Sequence, residues 1–154
     1  MPRCLPLSVV VAYLDNPAAL ETLVACYNDA WNRHDLDAIV ALHAPGMVFE
    51  NVSTGERAEG ERVRDHIAGI FASWPDLSFS GRRMHVRDGL VVQEWTAQAT
   101  HLMPVRRGER VLQPTGKRLE WNGLDILPFE NRLLTAKIVY SDSLAILRQL
   151  GAID

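Results

Sequence analysis

The sequence predicts an α+β fold, with helices packed on one face of a curved, mostly antiparallel sheet. Two observations carry that expectation. Apolar residues recur at helical spacing up to about residue 73, and beyond that point the period changes to two. Turn signals then divide the second half into long strands. The chain has 154 residues, 47% apolar and 23% charged, which suits one ordinary domain with one core. The expected division is an amino-terminal arm, residues 1–16, followed by a single domain, residues 17–154.

The opening "MPRCLPLSVVVAYLDNP" holds an apolar run of about ten residues, the length of a signal-peptide core. No small-x-small cleavage site follows, so it reads as a strand or arm packed on the domain. Asn16 is a good helix N-cap and Pro17 fits the first helical position. Leu20, Leu23, Val24, Tyr27 and Trp31 then fall on one face of a first helix that ends near Arg33. Asp35 caps a short second helix with Ile39, Val40 and Leu42 inward, and Pro45-Gly46 is read as its stop. A strand over 47–51 ends in Glu50 and Asn51, an acid and an amide at the end of an apolar run. After a short partner strand near Arg57-Ala58, a third helix is expected over 61–73, with Val63, Ile67, Ile70 and Phe71 on one side and Trp74-Pro75 closing it. Long strands follow over 77–86, 90–102, 119–128 and 133–141. They are separated by "RDG", a Pro/Gly/Arg-rich loop over 104–117, and "ENR".

Composition excludes several functions. Net charge is −3 and the basic residues are scattered, so nucleic acid is not an expected partner. Nothing approaches the roughly 18 consecutive apolar residues of a membrane helix, so no membrane partner is expected. Cys4 and Cys26 form no CxxC unit and read as free thiols in a reducing, cytoplasmic compartment. His34, His43, His66, His85 and His101 offer no HxxxH pair, and there is no phosphate loop or GxSxG elbow, so neither metal nor cofactor is implied.

Alternation decides which strand residues reach the interior. Val91, Gln93, Trp95, Ala97, Ala99 and His101 share the mostly apolar face of their strand. In the next long strand Trp121, Gly123, Asp125 and Leu127 share a face, which leaves the Asp125 carboxylate among apolar neighbours. It is either a buried acid that stays neutral and donates a hydrogen bond, or one half of an ion pair with Lys137, whose parity matches Val139 on the adjacent strand. Asp142, ahead of "SLAILRQLG", reads chiefly as the N-cap of a terminal helix.

The stretches "AWNRHDLDAIVALHAPGMVFEN", "WPDLSF", "VVQEWTAQATH", "PTGKRLEWNGLDILPFEN" and "YSDSLAILRQLG" occur in the order seen in SnoaL-like polyketide cyclases. From about Leu20 to Gly151 the chain resembles that family, part of the nuclear transport factor 2-like superfamily that also includes ketosteroid isomerase. The resemblance implies a cone-shaped barrel with three N-terminal helices on a curved sheet, a hydrophobic pocket, no cofactor, packing as a homodimer and a place in secondary metabolism. It also implies roles. The tyrosine and neutral aspartic acid that hold the oxyanion in the isomerases fall on Tyr27 and Asp125, a pairing that serves as a standard illustration of pKa tuning. The isomerase base falls on Asn51, which takes no proton, and the histidine and aspartate of the cyclases fall on Asp125 and Val139. Both usual bases are therefore replaced, which leaves His101 or Glu50 to move a proton. Trp31, Trp95, Trp121 and Val139, with Asn51, would line the substrate site. The expected function is a cofactor-independent isomerase or cyclase that takes a small hydrophobic carbonyl metabolite, polyketide- or steroid-like, through an enolate. The alternatives are a small-molecule binding protein on the same fold, or an epoxide hydrolase or dehydratase. A cluster of Tyr27, Asp125 and His101 at one cavity point favours catalysis, and a Lys137–Asp125 ion pair there favours binding or a structural role.

Overall fold

The computed structural model describes residues 17–154; the expected arm and the Asn16 cap lie outside them. In chain order the elements are α1 (Pro17–Asn32), α2 (Leu36–Val40), β1 (His43–Asn51), β2 (Glu56–Glu59), α3 (Arg62–Ser73), β3 (Ser78–Arg87), β4 (Leu90–Thr100), β5 (Val105–Arg107), β6 (Arg110–Leu112), β7 (Arg118–Glu130), β8 (Leu133–Ser141) and α4 (Ser143–Gln149). Six strands form one sheet in the order β2-β1-β8-β7-β4-β3, and β5 pairs with β6 apart from it. Among the described residues only β1 with β8 runs parallel.

The local reasons are visible in the sequence. Asp35 caps α2 through Ala38 N–H at 3.0 Å, and Asp142 caps α4 through Ala145 N–H at 2.9 Å. The β3–β4 hairpin turns on Asp88 and Gly89, both at positive φ, and the β7–β8 hairpin on Asn131 and Arg132 at φ +46° and +69°. That sign at both turn residues matches the right-handed twist of the flanking strands. Buried and partly exposed residues alternate along β4 and β7, as period-two sequence requires.

The expected cone-shaped barrel with three N-terminal helices is corrected on two points. Among the described residues only α1 and α2 precede the sheet, because α3 enters after the β1–β2 hairpin. Among the described residues the sheet is open, with β2 and β3 as edges that pair with no further strand. β2 is four residues long and leaves through Gly60, at positive φ, straight into α3, so no strand bridges the two edges. Helices cover that side instead, α3 against β1 and β2 and α1 against β3. The strand after α2 also begins earlier than expected. Pro45-Gly46 is not a helix stop but lies inside β1, where the register to β8 shifts between His43 and Val48. Among the described residues no cysteine is free: Cys26 is disulfide-bonded, against the expectation of free thiols.

Candidate functional site

Inward-facing residues of the sheet, together with α1, α3 and the β5–β6 hairpin, enclose a cavity of about 540 Å³. Its wall is aromatic: Trp31, Phe49, Trp74, Phe79, Trp95 and Trp121 all line it. The rings lock one another edge to face, Trp31 with Phe79 at 6.0 Å and Phe79 with Trp95 at 5.2 Å between centroids. Gly123 makes room for this arrangement. A Cβ built there falls on the ring of Trp95, so the indole lies flat against bare backbone.

The polar centre follows from strand register. Gln93 on β4 stands opposite Asp125 on β7, and Asp125 opposite Val139 on β8, so Lys137, two residues before Val139, shares the inward face. Asp125 and Lys137 form a buried ion pair through Oδ2, with 2% and 9% of their side-chain surfaces exposed. Gln93 Nε2 donates to the same oxygen at 3.0 Å. Gln93 is in turn held by Asn28 of α1, the two amides exchanging hydrogen bonds at 2.8 and 3.0 Å. Asp125 Oδ1 is buried with no hydrogen-bond partner among the described residues. The Lys137 ammonium also sits 5.1 Å from the ring centre of Trp31 and 5.9 Å from that of Tyr27.

Tyr27 is buried on α1, but its hydroxyl meets His43 Nε2 at 3.1 Å on β1 and not the Asp125 carboxylate. Burial pushes the phenol well above its usual range, the nearby Trp31 side chain opposes the rise and the Asp125 charge adds to it. Burial lowers His43 to about 4, and the Lys137 charge acts in the same direction. The imidazole is thus neutral, and in its Nδ1–H tautomer Nε2 accepts a hydrogen bond from the Tyr27 hydroxyl.

The remaining expectations separate into two groups. Asn51, Trp31, Trp95, Trp121 and Val139 all line the cavity, with Asn51 Nδ2 placed 3.4 Å from Ser141 Oγ. Of the four residues expected to do chemistry, only Asp125 lines it. His101 is fully buried, as alternation predicts, but its Nδ1 lies 3.1 Å from Thr115 Oγ1 and its ring packs beside Trp74 rather than in the wall. Glu50 pairs with Arg57 across the β1–β2 hairpin at 3.6 Å, half exposed. Sequence reasoning did not single out Asp65 and His66 on α3, or Arg106 and Arg107 in the hairpin, and all four line the cavity. His66 precedes the buried Ile67 on α3, and its position on the helix gave no separate signal in the sequence. Among the described residues no group of three or more His, Cys, Asp or Glu is placed to hold a metal, and no helix is long and apolar enough to cross a membrane.

Three comparisons bear on this geometry. The family profile described as a SnoaL-like domain matches residues 24–137. None of the curated proteins matches the chain at a significant level. Among solved structures, AclR from Streptomyces galilaeus, named as a candidate hydroxylase, superposes with a TM-score of 0.78 at 22% identity, covering 90% of this chain and 89% of its own. IdmH from Streptomyces antibioticus, named as a candidate polyketide cyclase, gives 0.73 at 22%, covering 86% and 98%. A nuclear transport factor 2-like protein of unknown function from Burkholderia pseudomallei gives 0.70 at 15%, covering 85% and 96%. At these identities the structures share the fold.

Proposed function

This chain belongs to the SnoaL-like domain family of the nuclear transport factor 2-like superfamily, and on that premise we propose that it is a cofactor-independent cyclase or isomerase for a small, mostly apolar carbonyl compound. The observation that carries the reading is the Asp125–Lys137 pair, set in an aromatic wall with one carboxylate oxygen unclaimed. Unpartnered buried acceptors are rare and costly, and a ligand proton is the kind of partner that relieves one.

The roles differ from those the isomerases imply. Held against an ammonium group, Asp125 is an acceptor, so it serves as the base and not as a neutral donor. Asp125 Oδ1 takes the proton from the carbon beside the carbonyl, and the electron pair moves onto the carbonyl oxygen. The Lys137 ammonium, with donors to spare after its bond to Asp125, holds that oxygen as it becomes negative. Return of the proton to a different carbon completes an isomerisation; in a cyclisation the enolate carbon attacks a second carbonyl, and Asp125 returns its proton to the alkoxide that forms. Trp31, Trp95 and Trp121 clamp the apolar body, Val139 separates Asp125 from Asn51, and Asn51 with Ser141 receives a carbonyl or hydroxyl at the polar end. Tyr27 and His43 support the pair from behind, and His101 fixes Trp74 and the loop that carries Thr115.

The test is exchange of the protons beside the carbonyl of β-tetralone in deuterium oxide, followed by proton NMR. Exchange accelerated by stoichiometric protein over buffer supports the enzyme. A second reading, a binding protein that kept the cavity and lost the chemistry, draws on the Asp125–Lys137 ion pair itself, which by the criterion set from the sequence favours binding, and on Tyr27, His101 and Glu50 all lying outside the cavity wall. Saturable binding of β-tetralone without acceleration favours that reading.

A further inference from the structure

Two side chains in the cavity wall carry nitrogen atoms that the fold leaves unused. Arg107 Nε and His66 Nε2 are both buried, and neither has a hydrogen-bond partner among the described residues. Arg107 is anchored at the other end of its guanidinium, where Nη1 donates to the Arg106 carbonyl at 2.9 Å. The His66 ring packs on Phe49, 4.8 Å between centres, which fixes its plane. Burial lowers Arg107 from its ordinary value while Glu56 opposes the change. Glu56 forms no ion pair with Arg107 within 4.0 Å; its Oε2 accepts from Thr54 Oγ1 at 2.7 Å. The acidic side chains of this region are thus Glu56, engaged by Thr54, and Asp65, exposed on α3. Arg106 adds a second positive charge to the same wall.

A buried guanidinium N–H without an acceptor loses its hydration and gains nothing in return. An anionic acceptor supplied by the ligand restores the balance, and arginine is suited to a planar carboxylate. We propose that Arg107 and His66 form an anion subsite of the cavity, so that the ligand is an apolar carboxylic acid whose acidic group lies apart from the carbon that reacts at Asp125. The inference deepens the proposed function and rests on it. The cavity wall then carries two polar groups on different elements, Asp125 with Lys137 on the sheet and Arg107 with His66 on the hairpin and α3. Arg107 Nε–H, and His66 in its Nε2–H tautomer, are the donors such a carboxylate would engage.

Isothermal titration calorimetry with naphthoic acid and its neutral isostere naphthamide tests this on the whole chain. The acid is expected to bind at least about tenfold more tightly than the amide, the effect of one desolvated charge-assisted hydrogen bond or more. Arg107→Gln is expected to bring the two affinities within about twofold by weakening the acid alone, and His66→Phe to narrow the gap in part. Arg107→Lys, which keeps the charge without the fork, serves if the glutamine variant does not fold, and is expected to retain only part of the preference. Equal binding of acid and amide by the natural protein, with the amide bound, overturns the subsite and leaves the proposed function standing. A preference unchanged in both the Arg107 and His66 variants overturns it as well, since the acid is then held elsewhere. Failure of both probes to bind overturns the subsite and the apolar-cavity reading together.

Discussion

Replacing Lys137 by Met removes the cation paired with Asp125 and leaves the shape of the strand nearly unchanged. Asp125 is 2% exposed, and after the substitution its carboxylate keeps one neutral donor, Gln93 Nε2 at 3.0 Å, with Oδ1 still unpartnered. Removing one member of a buried pair costs about 3–5 kcal/mol, because the surviving charge is stranded in a low-dielectric site. For a domain of this size each kcal/mol moves the thermal midpoint by roughly 2–4 °C, so a fall of about 6–20 °C is expected. The double variant Lys137→Met with Asp125→Asn removes the stranded charge and is expected to recover at least about 2 kcal/mol relative to the sum of the singles. Urea unfolding followed by tryptophan fluorescence gives all four corners of the cycle, with Trp31, Trp95 and Trp121 in the wall as reporters. Additive single effects, with coupling below about 0.5 kcal/mol, would refute the argument, because the two side chains would then not be interacting in the folded protein.

Other perturbations follow from the surroundings of the pair. His43 is depressed from 6.5 to about 4, so the folded protein binds fewer protons than the unfolded chain between those values. Its contribution to stability is complete above about pH 6.5 and is lost as the pH falls toward about 4, on the order of 2 kcal/mol at full effect after allowing for its partial exposure. Thermal midpoints across that window are expected to fall less steeply in His43→Gln than in the natural protein, and parallel slopes would be contrary. Gly123→Ala forces the Trp95 ring off the β7 backbone and into the cavity. A destabilisation of about 1–3 kcal/mol with weakened β-tetralone binding is expected, whereas unchanged affinity would show that Trp95 is not part of the wall. Asp142→Ala removes the cap of α4 and is expected to cost about 1 kcal/mol in urea unfolding; no loss would mean that the Ala145 N–H is satisfied another way.

The inward face was the most legible part of the sequence. A period of two placed Trp95, Trp121, Asp125 and His101 on the inward side, and all four are buried, His101 one residue beyond the end of β4. The parity of Lys137 was readable too, but parity alone left both fates of Asp125 open, because a pair also depends on which strands are neighbours. The family resemblance implied a closed barrel, but the four residues of β2 and the turn at Gly60 send the chain into α3 before any strand can complete the circle. Tyr27 found His43 because β1 starts before Pro45-Gly46, a pair that sequence rules read as a break but that the strand absorbs as an irregularity. His101 shows the limit of alternation: the rule gives depth, and depth alone does not say which buried residues face the cavity. Arg107 and His66 carried no pattern at all. One sits in a hairpin of two three-residue strands, below the length at which periodicity can be read, and the other is a single position on a helix face.

The central claim is that the free oxygen of Asp125 moves a proton on a carbonyl compound held in the aromatic cavity. Its most direct measurement compares β-tetralone exchange in deuterium oxide by the natural protein and by Asp125→Asn, each saturated with probe as judged by titration. Comparable affinities are expected, with an exchange rate lower by a factor of about one hundred or more in the asparagine variant, since the amide has no lone pair basic enough to take the proton. Equal exchange by both proteins, at equal occupancy, would contradict it.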